Sequence, residues 1–501
     1  MTKWKFMCST AFVALVAGNA ALADVTPEQV WENWKSLSGS YGQTLTTTSE
    51  AREGDALVVK GIAVTSAQDG AEAVVSMDQL TLTDKGDGTV EMTMSDGSKV
   101  TIKTPASGEM AETTTHVSVL NPGMSVLVSG SPEEMRYDFT GPSVTIKLDG
   151  IEGGKDVPPD MKAEAVLTGL KGNYLVAGGD SKALSSNATL DGAAITIAGS
   201  NPEDGSKINA VVNVAGITAM SNSAILGDMA NIAAALKAGA RMDGSVAYQS
   251  ASFDMTVTDQ SGETKAQGTN AGGDLTFALD AAKLAYGGTA KDANFTISGG
   301  QIPFPQVNLA YKEGAFNLVA PVSKSDTPAD FAFMMKLADL TISDEIWGMI
   351  DPTAQLPRDP MTVHLDTKGT VKLTTDLMDE AAMAALQGAP GELQSLNINA
   401  LQVKLAGADV TGAGALTFDN TDMTTFGGAP APTGTVNLKA VGLNGLLDKL
   451  MAMGLVPEDQ MMGARMMLGM FAKVVEGEPD TMTSNIEFKD KHFFVNGMQL
   501  Q

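Results

Sequence analysis

Alternation of apolar and polar residues is the dominant pattern from residue 43 to about residue 220. Apolar side chains occupy every second position in Val90–Met94 and Val144–Leu148, and turns rich in Gly and Asp, such as Asp84–Gly88, separate such runs. A period of two places successive side chains on opposite faces of a strand. Turns of this composition join antiparallel strands. The pattern therefore predicts antiparallel hairpins with one buried face.

The same alternation resumes at Ser245 and continues to about residue 342, with clear runs at Leu275–Leu279 and Phe331–Leu337. It returns after residue 395 and closes the chain with a strand pair that includes Phe493–Val495. The chain is therefore predicted to be mainly β, with long antiparallel, curved sheets.

A weak motif recurs along these predicted strands, with the form apolar-any-apolar-any-Gly-Ile/Leu. Its copies are Leu57–Ile62, Ile146–Ile151, Ala165–Leu170, Val212–Ile217 and Leu438–Leu443. Their irregular spacing excludes a solenoid repeat of fixed period. We interpret the motif as one kind of strand ending that a long meander uses repeatedly.

A short amphipathic helix is predicted ahead of the strands. Thr26, Pro27 and Gln29 are the residue types of an N-cap, a first helical position and a capping box, and Trp31 and Trp34 lie on one face. We expect this helix to lay its tryptophans on the sheet. A membrane-surface anchor is the alternative, but the polar face carries little positive charge.

Helical periodicity also appears at about 228–238, just after Ser343, and at about 377–387. A C-terminal helical hairpin is predicted from Asn444 to Met453 and from Pro457 to about Val475. The 501 residues that the chain contains suit one extended β-rich domain over 24–501 or two lobes that divide near residues 220–245.

The first 23 residues have the pattern of a cleavable signal peptide. Lys3 and Lys5 precede an apolar stretch that is densest at 11–17, and small residues end at Ala23, which predicts cleavage before Asp24. The apolar stretch is shorter than the roughly 20 residues of a spanning helix. We therefore expect export to the periplasm, and no later stretch is long and apolar enough to span a bilayer.

The charge and the cysteine content narrow the function classes. The only cysteine, Cys8, lies within the predicted signal, so the mature chain would have no disulfide. The chain has 33 Lys and Arg against 59 Asp and Glu, a net charge of −26, and its acidic residues are scattered. This surface excludes nucleic acid as a partner, because phosphate binding requires a basic stripe.

No constellation of residues predicts catalysis, a cofactor or a metal. His116, His364 and His492 are far apart and lack a second His or Cys at ligand spacing, and nucleophile-elbow, Walker and dinucleotide motifs do not occur. We therefore expect a protein that is not an enzyme. If a dispersed polar site exists, Arg358 and Asp359 are the first pair to inspect, although the flanking prolines favour a rigid, ion-paired turn.

Methionine is unusually frequent, with 29 in the chain and seven between Met451 and Met470. One interpretation is a site for Cu(I), which prefers thioethers. A second is packing, because Met461, Met467 and Phe471 fit one helical stripe, with Leu468 as the alternative to Met467. A third is an adaptable apolar surface. Packing is favoured over copper. Met451, Met461, Met467 and Phe471 are the candidate surface for an apolar ligand or partner.

One segment resembles a known family. The run Ile346–Pro352 followed by Leu356–Pro360 is similar to the uncharacterised alphaproteobacterial family named domain of unknown function 2125, as are Val307–Pro321 and Phe493–Gly497. The resemblance covers most of the mature chain and implies no activity or catalytic residue. The N-terminal membrane-targeting segment and the long β-meanders of Ala, Gly, Leu and Val are also similar to those of AsmA-like envelope proteins. That similarity implies lipid or outer-membrane homeostasis, but those proteins retain their N-terminal anchor, whereas cleavage is expected here.

The expectation from the sequence is a periplasmic, non-enzymatic protein that binds or shuttles a hydrophobic ligand, with lipid as the favoured class. It rests on aliphatic, aromatic-poor strands and on the Met-rich hairpin. The alternative is an envelope scaffold or assembly factor that binds other proteins through an exposed apolar patch on residues 444–475.

Overall fold

The computed structural model describes residues 24–68, 70–107, 111–153, 160–178, 182–201, 204–226, 232–300 and 302–500. The predicted signal peptide and Ala23 lie outside these residues. The chain forms two compact units: unit 1 extends to Ala281 and includes Ser298–Pro303, and unit 2 comprises Ala282–Ile297 and the chain from Phe304 onwards. Antiparallel strands dominate both, so the mainly β class is confirmed.

The described part of unit 1 contains two helices and the first strands of the chain. The helices are α1 (Pro27–Ser40) and α2 (Ile232–Lys237). The strands are β1 (Thr44–Thr46), β2 (Ser49–Glu53), β3 (Ala56–Gln68), β4 (Ala71–Asp84), β5 (Val90–Met94), β6 (Gly97–Thr104), β7 (Thr113–Leu120), β8 (Ser125–Ser131), β9 (Glu134–Gly153), β10 (Lys162–Ala177), β11 (Lys182–Ser200), β12 (Lys207–Ile225), β13 (Arg241–Tyr248), β14 (Ser250–Asp259), β15 (Gly262–Asn270) and β16 (Gly273–Leu279).

Long strands in unit 1 pair with two shorter partners, one along each half. Strand β4 pairs with β6 and then β5, β9 pairs with β8 and then β7, and β12 pairs with β14 and then β13. Between them β10 and β11 pair along nearly their whole lengths. The result is an antiparallel meander of long strands.

The recurring glycine motif kinks strands in their interiors. Gly61, Gly169 and Gly216 lie inside β3, β10 and β12 with φ of 58°, 64° and 62°. Leu57 and Val59 point into one core. In a regular strand Ile62 would point to the opposite face, but it belongs to the same core. The interpretation as a strand ending was therefore wrong here, because a left-handed residue, which glycine adopts without penalty, keeps the apolar side chains on one side.

At its fifth copy the motif does end a strand. Gly442 (φ 74°) follows strand β23 (Ala431–Val441) and occupies the N-cap position of α5 (Leu443–Ala452). Asn444, at which this helix was predicted to begin, lies inside it, and its side-chain amide donates to Asp480 Oδ1 at 2.9 Å.

Helix α1 covers one half of the unit 1 sheet. The predicted capping box is present, with the Thr26 hydroxyl 3.3 Å from the Gln29 amide and the Gln29 side chain 2.9 Å from the Thr26 amide. Val30 and Trp31 are buried in a core formed by β3–β5 and β8–β10. Tyr137 stacks on Tyr174 with ring centroids 4.3 Å apart. This half is a closed core, as predicted.

Unit 2 contains the remaining strands and four helices of the described chain. The strands are β17 (Lys283–Gly299, to Ile297 in this unit), β18 (Val307–Pro321), β19 (Ala329–Ile342), β20 (Met361–Leu373), β21 (Gly391–Leu405), β22 (Ala408–Asp419), β23, β24 (Lys473–Val474), β25 (Thr481–Lys489), β26 (His492–Val495) and β27 (Met498–Gln499). The helices are α3 (Asp344–Ile350), α4 (Glu380–Ala384), α5 and α6 (Glu458–Phe471).

Strands β17 to β23 pair in chain order, and β25, β26 and β27 continue the antiparallel meander. The predicted C-terminal helical hairpin is confirmed as α5 and α6, although residues 473–474 form β24 rather than a last helical turn. The helix predicted at 228–238 is α2, and its predicted first residues lie outside the described chain. None of the helices described is long and apolar enough to span a bilayer.

Candidate functional site

The unit 2 sheet has one apolar face, which three rows of cross-strand neighbours define. Residues paired directly across antiparallel strands share a face. The first row is Tyr286, Leu318, Phe333, Thr367, Ile398, Gly414, Val436 and Ile486; the second is Gly288, Phe316, Met335, Leu365, Leu401, Gly412, Leu438 and Ser484; the third is Ala290, Gly314, Leu337, Val363, Val403, Val410, Ala440 and Met482. We call these three rows the apolar lane.

A β-bulge keeps the lane continuous. Ile398 and Leu401 are three residues apart on β21, yet they pair with Thr367 and Leu365, which are two apart on β20. The extra residue at Asn399 restores the alternation, because a one-residue slip would turn the following side chains to the other face. The Asn399 side-chain amide donates to Asp366 Oδ1 at 3.1 Å, which fixes the bulge.

The opposite face of the same sheet is polar. One row on it runs Ala315, Lys336, His364, Gln402, Thr411, Lys439 and Thr483, and another runs Ala332, Lys368, Asn397, Ala415, Thr435 and Glu487. Water can solvate these groups, whereas none of the lane positions carries a charge. The sheet of unit 2 is therefore strongly two-sided.

The lane is only partly shielded from solvent. Phe316, Leu318, Phe333 and Met335 are 37%, 39%, 41% and 47% exposed. By contrast, Leu82 under α1 in unit 1 is fully buried at 0%. The lane is therefore open to solvent on β18 and β19, whereas its members Thr367, Ser484 and Met482 are buried.

Helices α3 and α5 close one side of the lane. Trp347 of α3 is 5% exposed and packs with Leu356, Met361 and Leu446. Met361 lies two residues before Val363 on β20, so it extends the same face toward the helices. The segment that the resemblance singled out thus builds a wall at the end of the strands.

Asp351 holds this wall together. It is completely buried and accepts hydrogen bonds from the Leu356 amide at 2.6 Å and from the Thr353 hydroxyl at 3.3 Å. Burial alone would raise the pKa of Asp351, but hydrogen bonds from the backbone of Gln355 and Leu356 hold it below its ordinary value. The predicted ion pair of the adjoining turn joins Arg358 to Asp344 rather than to Asp359.

A loop after β22 closes the opposite side near β25. Phe426 meets Phe488 edge to face with centroids 5.9 Å apart, and Phe488 pairs across the sheet with Gly434. Asp422 anchors this loop by accepting from Lys491 Nζ at 2.6 Å and from the Thr425 hydroxyl at 2.8 Å. These hydrogen bonds, that of Lys491 first, hold the pKa of Asp422 far below its ordinary value.

The open lane therefore runs across the strands. Its rows cross eight strands, and a spacing of about 4.8 Å between strands gives a length of about 34 Å. Three rows two residues apart give a width of about 14 Å. A depression of about 500 Å³ in unit 2 is lined by Asn437 and by Gly412, Leu438 and Ser484 of the second row, and one of about 480 Å³ lies near Asn213 in unit 1. The lane is an open surface and not an enclosed cavity.

Unit 1 carries a shorter row of the same kind, beyond the half that α1 covers. Cross-strand partners along it are Val119, Ile146, Ala165, Ile195, Val212 and Phe253. Ile146 and Ile195 are each 38% exposed. Partial exposure of an apolar sheet face is therefore a property of both units.

The residues singled out on the helical hairpin have different environments. Met461 is 2% exposed and Phe471 is half-buried, so both face inward, together with Leu468 rather than Met467. Met467 is 57% exposed and Met451 is 37% exposed. Met462, Met466 and Met470 form an outward stripe that was not predicted, although their spacing of four residues was its signal.

The three histidines have different environments. His116 lies 3.5 Å from Glu152, His364 belongs to a polar row, and the His492 ring contacts the Asp490 carbonyl at 2.7 Å. Among the residues described, no group of three or more His, Cys, Asp or Glu is placed to hold a metal ion.

Residues 232–500 match the family model of DUF2125, described as an uncharacterized protein conserved in bacteria. No curated protein and no solved structure shows significant similarity to the chain. The resemblance to AsmA-like proteins therefore stays a prediction. The match includes every row of the apolar lane and covers more than half of the chain, so the chain belongs to the DUF2125 family of bacterial proteins.

Proposed function

We propose that this protein is a periplasmic, non-enzymatic carrier that binds a hydrophobic ligand, lipid by class, on the apolar lane of unit 2. The observation that carries the proposal is a continuous apolar face, bordered on both sides, whose strands β18 and β19 expose large apolar side chains to solvent. Ordinary cores bury such rows, and a large exposed apolar patch is typical of an interaction site.

The dimensions of the lane suit hydrocarbon. About 34 Å by 14 Å is roughly 500 Å², and apolar burial contributes about 25 cal/mol per Å². The hydrocarbon core of a bilayer is about 30 Å thick, so one leaflet contributes about 15 Å of acyl chain. The lane is therefore long enough for more than one chain end to end, and wide enough for several side by side.

The side chains of the lane suit the acyl chain of a lipid and not its headgroup. Its side chains carry no charge, and its hydroxyl groups are those of Tyr286, Thr367 and Ser484, so no cation within the rows pairs with a phosphate or a carboxylate. A polar headgroup would remain in solvent, because burying it without a partner is unfavourable. The signal-peptide pattern before Asp24 supports a location between two membranes, where such a carrier would meet lipid.

The experiment compares two aspartate variants of the full chain expressed with export to the periplasm. Met335 lies in the lane and is 47% exposed, and Met220 lies on the polar face of β12 between Asn187 and Ser245 and is 50% exposed. Met335→Asp places an unpaired charge where hydrocarbon would lie. Met220→Asp is the matched control, with the same chemical change at the same exposure.

Extraction and mass spectrometry of lipid from the purified proteins give the readout. We expect lipid with the wild type and with Met220→Asp, and a loss of most of it with Met335→Asp. Wild-type protein free of lipid, or equal lipid in both variants, would overturn the proposal. A protein crosslinked to the lane in place of lipid would instead favour the envelope-scaffold alternative.

A further inference from the structure

The outward face of α6 is built from methionine. Met462, Met466, Met467 and Met470 are 68%, 73%, 57% and 44% exposed. They are all of the large apolar side chains that α6 exposes. The inward positions, by contrast, mix Met461 with Ala464, Leu468 and Phe471 in half-buried or buried environments.

Packing does not account for these four residues, because methionine fills gaps in a core only where it is buried. An adhesive apolar face would not require sulfur either, since leucine is as apolar and forms helices as well. What methionine adds is a soft, polarisable thioether. Soft sulfur ligands select Cu(I) among the metals of biology.

Helical spacing places three of the four methionines next to one another, in a triangle on the helix surface. Met466 and Met470 are one turn apart at i, i+4, and Met467 and Met470 are at i, i+3, so each pair has Cβ atoms about 5–6 Å apart. With 100° per residue, Met470 lies at an angle between Met466 and Met467. Three rotatable bonds in each side chain allow the sulfurs to converge on one ion.

The electrostatics of the site favour a cation. The triangle lies in the last part of α6, which ends at Phe471 and has no basic residue in its last turn. The C-terminal end of a helix carries partial negative charge. The cations nearest in sequence are engaged: Arg465 pairs with Asp448, and Lys473 Nζ donates to the Asn496 carbonyl at 3.1 Å.

We propose that Met466, Met467 and Met470 form a three-thioether site for a soft monovalent cation of the Cu(I) class, with Met462 as an adjacent fourth sulfur. The site is separate from the apolar lane and does not depend on the lipid proposal. Binding changes no covalent bond and needs only that the ion be supplied in its reduced state.

The test measures Cu(I) affinity under anaerobic conditions by competition with a chromophoric Cu(I) chelator, and repeats it with Ag(I), a redox-inert soft cation. The variant Met466→Leu, Met467→Leu, Met470→Leu removes three sulfurs and keeps the apolar helix face. The matched control, Met220→Leu, Met349→Leu, Met423→Leu, removes three methionines that have no methionine beside them in the sequence and are 50%, 67% and 45% exposed.

We expect the helix variant to bind Cu(I) more than about 100-fold more weakly, above the range that outer-shell changes produce, and the control to bind like the wild type. Ag(I) should shift the methyl resonances of these three methionines and leave those of Met220 and Met423 in place. Circular dichroism checks that the variant keeps its helix. Equal Cu(I) affinity for the helix variant and the wild type would overturn the proposal, whether or not the variant retains lipid.

Discussion

The half of unit 1 beneath α1 and the apolar lane of unit 2 begin from the same sequence pattern and end in opposite states. Under α1, Leu80, Leu82 and Val90 are 0% exposed. In the lane, Leu318 and Phe333 are 39% and 41% exposed. Both regions alternate with a period of two and both form antiparallel sheet. The two regions differ in what packs on the apolar face of the sheet. Alternation alone predicts which side chains share a face, but it does not predict which element covers that face.

The largest expected effect tests this contrast directly, with one substitution made in each region. Leu82→Ala should lower the free energy of unfolding of unit 1 by about 2–5 kcal/mol, because it leaves a cavity in a sealed core. Leu318→Ala should cost unit 2 only about 1 kcal/mol, because much of that side chain is already in solvent.

The tryptophans allow the two effects to be measured separately during urea unfolding. In the described chain, Trp31 and Trp34 report on unit 1, and Trp347 reports on unit 2. Variants with Trp347→Phe, or with both unit 1 tryptophans replaced by Phe, would isolate each signal. Similar losses for the two Leu→Ala variants would mean that the lane is sealed in solution as firmly as the core under α1.

The kinks that keep unit 1 apolar on one side give the next largest effect. Gly61→Ala should destabilise unit 1 by about 1–3 kcal/mol, because a left-handed backbone penalises a Cβ and the new methyl would overlap the Thr48 side chain. Gly150→Ala is the control. Gly150 belongs to the same motif but lacks a positive φ and has open space at its Cβ.

Urea unfolding followed through Trp31 and Trp34 measures both glycine variants. If Gly61→Ala proved as mild as Gly150→Ala, the left-handed conformation would not be what holds Val59 and Ile62 in one core. A large loss for both would instead indicate that the motif matters for a reason other than the kink.

Acidification tests how far the loop that borders the lane depends on the charge of Asp422. Because the folded pKa of Asp422 is held far below the value of about 3.9 in an unfolded chain, this group stabilises unit 2 fully at pH values above about 4. That contribution is lost as the pH falls through the folded value. Asp422→Asn should therefore be less stable than the wild type at pH 7, and the difference should shrink by pH 3.

Unfolding followed through Trp347 at pH 7 and pH 3 gives the four stabilities required. A difference between wild type and Asp422→Asn that stayed constant, or grew toward pH 3, would show that the hydrogen bonds from Lys491 and Thr425 do not depend on the carboxylate.

Much of the fold was predictable because local rules decide it. The period of two located the strands, the Thr26–Gln29 capping box located α1, and proline and glycine located the helical hairpin. The exposure of the lane was not predictable, because whether Leu318 is sealed depends on elements distant in sequence. The same is true of α6. Helical spacing alone allowed either Met467 or Leu468 to face inward, and packing against the rest of unit 2 places Leu468 there.

The smallest expected effect concerns the charged turn that precedes β20. Arg358 pairs with Asp344, whose side chain is 80% exposed, and exposed ion pairs contribute at most about 1 kcal/mol. Arg358→Gln should therefore change the stability of unit 2 by less than about 1 kcal/mol and leave lipid content unchanged, as measured by Trp347 unfolding and by extraction. A large loss of either would mean that the wall of the lane depends on charge. A small loss would mean that the packing of Trp347, Leu356 and Leu446 supports that wall. The border of the lane would then depend on apolar burial, as the core under α1 does.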